Sequence, residues 1–260
     1  MIARAAIAVL AGGLFLSALA HGADAPGQRL RDQITEAHWL APGVDVAAFL
    51  SSSPGECVRA PENADEAWLV EVGRAAFRSP LLFGGSAART GLSCNVCHRD
   101  GRDNPAFYLS GFSSAPGTAD VTSSVFSKKR EDGVANAVKI PTLVGAAGKT
   151  SFGTVAPHPS LASFIHDAVE DEFQGAPPPQ VVLDGLAAYV SHLDAAACPA
   201  GPRKRSAPGD MNDALRALAA ARIALARGDA ATADFLIVSA QRVLGAVDER
   251  YPGSRLGEDR

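Results

Sequence analysis

Apolar positions recur with a helical period over four stretches of the chain. From Ala64 to about Arg78, Trp68, Val72, Ala75, Ala76 and Phe77 fall near one face, and Pro80 stops that helix. Over residues 159–174, Ser160 can cap a second helix whose stripe is Leu161, Phe164, Ile165, Val169 and Phe173. Pro177 to Pro179 break the chain, and residues 180–193 carry Val182, Leu183, Leu186, Tyr189, Val190 and Leu193 on one side. Beyond the Pro- and Gly-rich residues 199–209, which read as a linker, Asp210 can cap a helix running to about Arg227. Gly228-Asp229 make a turn, and Ala233, Leu236, Ala240, Val243 and Val247 give the next helix an amphipathic face, ended by Pro252. So short a turn predicts an antiparallel hairpin.

The remaining segments lack a period. Residues 21–65 read as irregular with a short helix near Asp45–Leu50. Residues 99–138 read as a long loop, which in a compact domain has a functional reason. No run alternates as a strand does. The pattern predicts a mainly α fold: a helical domain over 21–198 with its core at about 64–195, a linker at 199–209, and a helical hairpin over 210–260.

The N-terminus changes the setting. Arg4, the apolar run Ala5 to Leu16 and the small residues Ala18 and Ala20 form a signal peptide with cleavage expected after about Ala20. The alternative, an uncleaved anchor, needs a longer apolar run. The expected location is the periplasm, with no integral span once the peptide is removed. A formal net charge of −4 and the lack of a basic stripe argue against nucleic-acid binding. Of the four cysteines, Cys57 and Cys198 flank the helical domain. An oxidising compartment favours a bridge between them over two free thiols or a bond to another protein, and such a bridge would stabilise by ~4–5 kcal/mol in the chain-entropy model.

Cys94-Asn95-Val96-Cys97-His98 is a C-x-x-C-H pentapeptide, the attachment motif of c-type haem. Two thiols three residues apart can each form a thioether with one vinyl group of a single porphyrin. The next residue then brings its imidazole beneath the iron. His98 is therefore the expected proximal ligand through Nε2, with Nδ1–H donating to a backbone carbonyl or water. A thioredoxin-like site needs a strand–helix setting, and a zinc site needs a second pair of ligands. Neither is present in the sequence.

The stretch Val72 to Leu82, with Gly73 and Phe77, followed by Ser93-Cys94-Asn95-Val96-Cys97-His98, resembles the di-haem cytochrome c peroxidase and MauG group. Lys139-Ile140-Pro141-Thr142-Leu143 is similar to that group's P-T-L segment, and Leu161 to Phe173 to the helix after it. Leu186 to Leu193 resembles the last helix of cytochrome c domains. The resemblance covers about residues 64–195 and implies a cytochrome c-like haem domain, with Pro141 set against the haem. The chain departs from the group in carrying one C-x-x-C-H, so it cannot divide electron transfer and peroxide chemistry between two haems. Where the group places a Met or Tyr ligand, this chain has Phe152-Gly153.

The second axial position decides the chemistry. Met211 lies beyond the linker. Of His21, His38, His158, His166 and His192, the expected distal ligand is His158, in the rigid Ala156-Pro157-His158-Pro159 loop; the alternative is an exposed loop histidine. Arg89, Arg99, Arg102, Lys128, Lys129 and Arg130 flank the haem loop and can meet propionates or solvent. Glu170, Asp171 and Glu172 read as a solvated helix face rather than a metal or acid–base site. Phe107, Tyr108 and Phe126 are expected on the porphyrin or in the core, and Trp68 in the core. The functional expectation is an electron-transfer cytochrome with one haem c and an unidentified redox partner protein, the hairpin serving to dock that partner or make a homodimer. The alternatives are a single-haem peroxidase-like oxidoreductase with an open distal site, and a sensor or assembly subunit that binds a small ligand at iron.

Overall fold

The computed structural model describes residues 31, 34–154 and 157–251; the predicted signal peptide lies outside them. The architecture is mainly α. The helices are α1 (Val46–Leu50), α2 (Ala64–Phe77), α3 (Gly85–Arg89), α4 (Cys94–Cys97), α5 (Leu161–Asp167), α6 (Gln180–Ser191), α7 (Ala207–Ala226) and α8 (Ala230–Arg250). Four two-residue strands, absent from the sequence reading, form two antiparallel pairs. β1 (Ser52–Ser53) pairs with β4 (Arg203–Lys204), and β2 (Thr118–Ala119) with β3 (Val138–Lys139).

Several helices start where a short polar side chain takes up a free backbone N–H, whereas α6 starts after Pro179 with no side-chain cap. Asn63 accepts from Glu66 N–H ahead of α2, and Ser160 from Ser163 N–H ahead of α5. Ser206, rather than Asp210, caps α7, which therefore begins four residues earlier than predicted, with Pro208 in its first turn. Asp210 instead pairs with Arg205 and Arg250. The expected linker is ordered: its Arg203 and Lys204 are tied to β1.

The core forms where α2 crosses α6. Gly73 and Gly185 meet there so closely that a Cβ on Gly73 would stand 1.8 Å from Gly185 O. The α7–α8 hairpin then covers the other side of α2. Its seam is mostly alanine, with Ala217, Ala221 and Ala224 against Ala233 and Ala240, all buried. Trp68 Nε1 donates to Ala220 O at 3.0 Å, and the Arg227 guanidinium lies 4.0 Å over its ring. The predicted core role of Trp68 is thus observed. By length and composition α8 is apolar enough to cross a membrane, but a third of that stretch is buried within the fold. Met211, Leu215, Leu218 and Leu225 lie exposed on α7.

Cys57 and Cys198 are disulfide-bonded, with Cα atoms 4.0 Å apart and a sequence separation of 141. Asp194 N–H donates to Cys57 O at 2.8 Å, so the bridge joins the segment entering α2 to the segment leaving α6. Closing so long a loop stabilises by about 5 kcal/mol in the chain-entropy model.

Candidate functional site

The C-x-x-C-H segment is one short helical turn. His98 N–H donates to Cys94 O at 2.8 Å, closing α4. Asp100 then takes a left-handed conformation (φ 52°), and Gly101 a second (φ 82°). Gly101 is required here because a Cβ would lie 2.5 Å from Leu193 Cδ1. The turn is locked from both sides. Asp100 N–H donates to Asn95 Oδ1 at 2.9 Å, and Asn104 Nδ2 donates to Val96 O at 2.8 Å. The Asp100 carboxylate accepts from Ser53 Oγ, and from Arg78 at 3.0 Å, which ties the motif to β1 and α2. Asn104 and Asp100 were not singled out in the sequence; short polar residues just after the cysteines were the only signal of them.

Cys94, Cys97 and His98 share one wall of a cavity of about 310 Å³, a size suited to a small molecule or cofactor. The rest of the wall is largely apolar. Phe77, Leu186 and Val190 come from α2 and α6, and Phe164, Ile165 and Phe173 from the α5 region. Phe112 enters from the long loop, so that loop does cover something; its Phe107 and Phe126 are core residues. Phe152 and Gly153 also line the cavity and offer no ligand atom on a side chain. Among the described residues neither a Met nor a second His lines it. Among the described residues no group of three or more His, Cys, Asp or Glu gathers as a metal site.

His98 Nδ1 lies 3.0 Å from Pro141 O. Burial drops the imidazole to a pKa of about 4, against a smaller upward pull from the Pro141 carbonyl. The ring is therefore neutral at pH 7, with Nδ1–H donating to Pro141 and the Nε2 lone pair free of protein partners among the described residues. Cys94 and Cys97 are not disulfide-bonded. Burial pushes the Cys94 thiol up to about 12 and the Cys97 thiol higher still, the opposite of the lowered pKa of a dithiol redox site. Two protonated thiols and one oriented neutral imidazole on an apolar wall fit a covalently held haem.

One polar cluster interrupts the apolar wall. Glu172 is 5% exposed, and its Oε2 accepts from Arg130 Nη1 at 2.9 Å. Arg130 also binds the Asp167 carboxylate, and both Glu172 and Arg130 line the cavity. Burial pushes Glu172 up to about 8; Arg130 opposes this and Asp167 adds to it. The expected solvated face holds for Asp171, which pairs with Lys129 at the surface, but not for Glu172. The reason is helical phase. Glu172 lies seven residues after Ile165 and eleven after Leu161, on the apolar stripe. The five residues Ala168–Glu172 form a π-helical turn that closes this helix.

His158 does not line the cavity. Its Nε2 is 3.1 Å from Asp167 Oδ2, its ring packs edge-on to Phe164, and its backbone pairs with Phe152. His166 faces Glu170, His192 is buried beside Glu66, and Met211 is on the exposed face of α7. Of the basic residues expected near propionates only Arg130 reaches the cavity. Arg99 binds Phe49 O and Ser52 O and stacks on Phe49. Lys139 and Lys149, which the sequence reading passed over in this role, line the cavity instead.

No protein-family model matches the chain, and neither the curated proteins nor the solved structures contain a match.

Proposed function

We propose that the chain is an exported mono-haem c-type cytochrome that exchanges single electrons with a partner protein. The observation that carries this reading is the meeting, on one apolar cavity, of two protonated thiols three residues apart and a neutral imidazole anchored through Nδ1. In that arrangement Cys94 and Cys97 hold the haem by thioether bonds and His98 Nε2 is its proximal ligand. The haem supplies the one-electron chemistry; the chain orients, buries and charges its surroundings. Pro141 O fixes the His98 tautomer. Phe112, Phe152 and Phe164 exclude water. Lys139 and Lys149 are placed to meet propionates. The Cys57–Cys198 bridge supports an oxidising compartment.

Expression with a cytochrome c maturation system and the leader intact tests the reading. The mature protein should be coloured and heavier than its polypeptide by the mass of one haem. The Cys94→Ser/Cys97→Ser variant should lose the covalent mass. A colourless wild-type protein at polypeptide mass overturns the proposal.

A second reading, a peroxidase-like oxidoreductase with an open distal site, is favoured by the Glu172–Arg130 pair on the cavity wall, to which no Met or second His contributes among the described residues. A high-spin ferric spectrum that changes on adding peroxide supports it. A six-coordinate low-spin spectrum, unmoved by peroxide or carbon monoxide, rejects it. A spectral change in His158→Ala would put His158 on the iron; no change leaves it with Asp167.

A further inference from the structure

We propose that Glu172 is a redox-linked proton site: when the cavity's cofactor gains one electron, Glu172 takes one proton from solvent, and it returns that proton on oxidation. This inference rests on the haem reading above and concerns the regulation of the same site.

Arg130 is the one guanidinium between two carboxylates, Asp167 and Glu172. With both carboxylates ionised the trio has a net charge of −1, and with Glu172 protonated it is neutral. Asp167 is the outer member. Its second neighbour is His158, and its side chain is 24% exposed against 7% for Glu172. The surplus charge therefore falls on the inner carboxylate, where water compensates least. Burial holds its proton into the neutral pH range.

The other charged groups around the cluster are already committed or lie elsewhere on the wall. Lys129 pairs with Asp171, and Glu170 with His166, both toward solvent. Lys139 and Lys149 line the cavity but make no ion pair with Glu172, and the Cys94 and Cys97 sulfurs are uncharged. Among the described residues Glu172 is thus the titratable carboxyl that faces the cavity, and the charge there changes by one unit on each electron transfer. Added negative charge in a low-dielectric site raises the proton affinity of a neighbouring carboxylate. The balance is one electron from the donor and one proton from water for each reduction, with carboxylate becoming carboxylic acid and no bond formed to the cofactor. Asp167 is the more exposed of the two carboxylates and holds Arg130 from the outer side.

The test is a spectroelectrochemical titration of the haem-loaded protein from pH 5 to 9. Haem loading is established first by mass, so a protein that carries no haem fails the functional proposal, whereas a loaded protein with a pH-independent potential fails this one. In wild type the potential should fall with pH by up to about 59 mV per unit over part of the range. Glu172→Gln keeps the hydrogen bond to Arg130 and should flatten the slope. Reduced-minus-oxidised infrared spectra of wild type should gain a protonated-carboxyl band that shifts in D2O and is missing from the variant. If Glu172→Gln does not load haem, Glu172→Asp should keep the slope but move its midpoint; an unmoved midpoint overturns the proposal. A slope that survives in Glu172→Gln also overturns it, placing the proton on a propionate or, if His158→Gln removes the slope, on that histidine.

Discussion

Glu56 and Glu172 are both carboxylates held by arginine inside the protein, and they behave in opposite ways. Glu56 sits beneath the disulfide, where it accepts from Arg74 at 2.7 Å, from Tyr189 OH at 2.7 Å, and faces Arg78 at 3.0 Å. Burial alone would raise its pKa, but the Arg78 and Arg74 guanidiniums outweigh burial and bring it down to about 2. Glu172 shares a single guanidinium with a second carboxylate and opens on a cavity, and burial wins. Two guanidiniums bind Glu56 directly and one binds Glu172, which lies deeper; that difference in direct partners and burial separates a carboxylate held ionised from one held protonated.

Removing each carboxylate is the strongest way to break that comparison. Glu56→Ala leaves two guanidiniums without their shared partner and should cost about 3–5 kcal/mol in urea unfolding. Acid should remove part of the same stabilisation without a mutation. The folded pKa of Glu56 lies below its unfolded value near 4.5. Its contribution is therefore complete above pH 4.5 and is lost as pH falls through about 2, amounting to about 3 kcal/mol. Unfolding midpoints measured between pH 5 and 2 check this. Glu172 has the reverse sign in the haem-free chain. Its folded pKa lies above 4.5, so stability is lost as pH rises toward about 8. Glu172→Gln should unfold within about 1 kcal/mol of wild type at pH 5 and become the more stable of the two at pH 9. A variant that is less stable at both pH values would make Glu172 a structural residue like Glu56. The smallest effect is expected at Phe152, which already faces the open volume: Phe152→Ala should cost the haem-free chain less than about 1 kcal/mol, well short of a core phenylalanine.

Legibility in the sequence follows the same division. Helices α2, α6, α7 and α8 were readable because their apolar period is long, with polar caps ahead of α2, α7 and α8 and the Pro177–Pro179 break ahead of α6. The C-x-x-C-H motif, the pairing of Cys57 with Cys198, and a backbone carbonyl on His98 Nδ1 were readable because each follows from covalent or hydrogen-bond chemistry at short range. The burial of Glu172 was hidden inside Glu170-Asp171-Glu172, where composition says solvent and only helical phase says cavity. The start of α7 was misplaced because both Ser206 and Asp210 can cap, and Asp210 is drawn instead to Arg250. The two β pairs were invisible because each strand is only two residues long and is held by chain ends brought together elsewhere. Lys139 and Lys149 gave no pattern of their own; the fold of the segment after His98 brings them to the wall.

The bridge between Cys57 and Cys198 has a topological consequence. Every residue lining the cavity falls between those two cysteines, from Phe77 to Val190, so the whole wall belongs to one covalent ring. A protease that nicks the ring once, in the exposed stretch around Val134 for example, leaves a single molecule on a non-reducing gel and two fragments once a thiol is added. The ring lets the wall be cut open without being lost, and a nicked protein can therefore report whether the pieces still close around their contents.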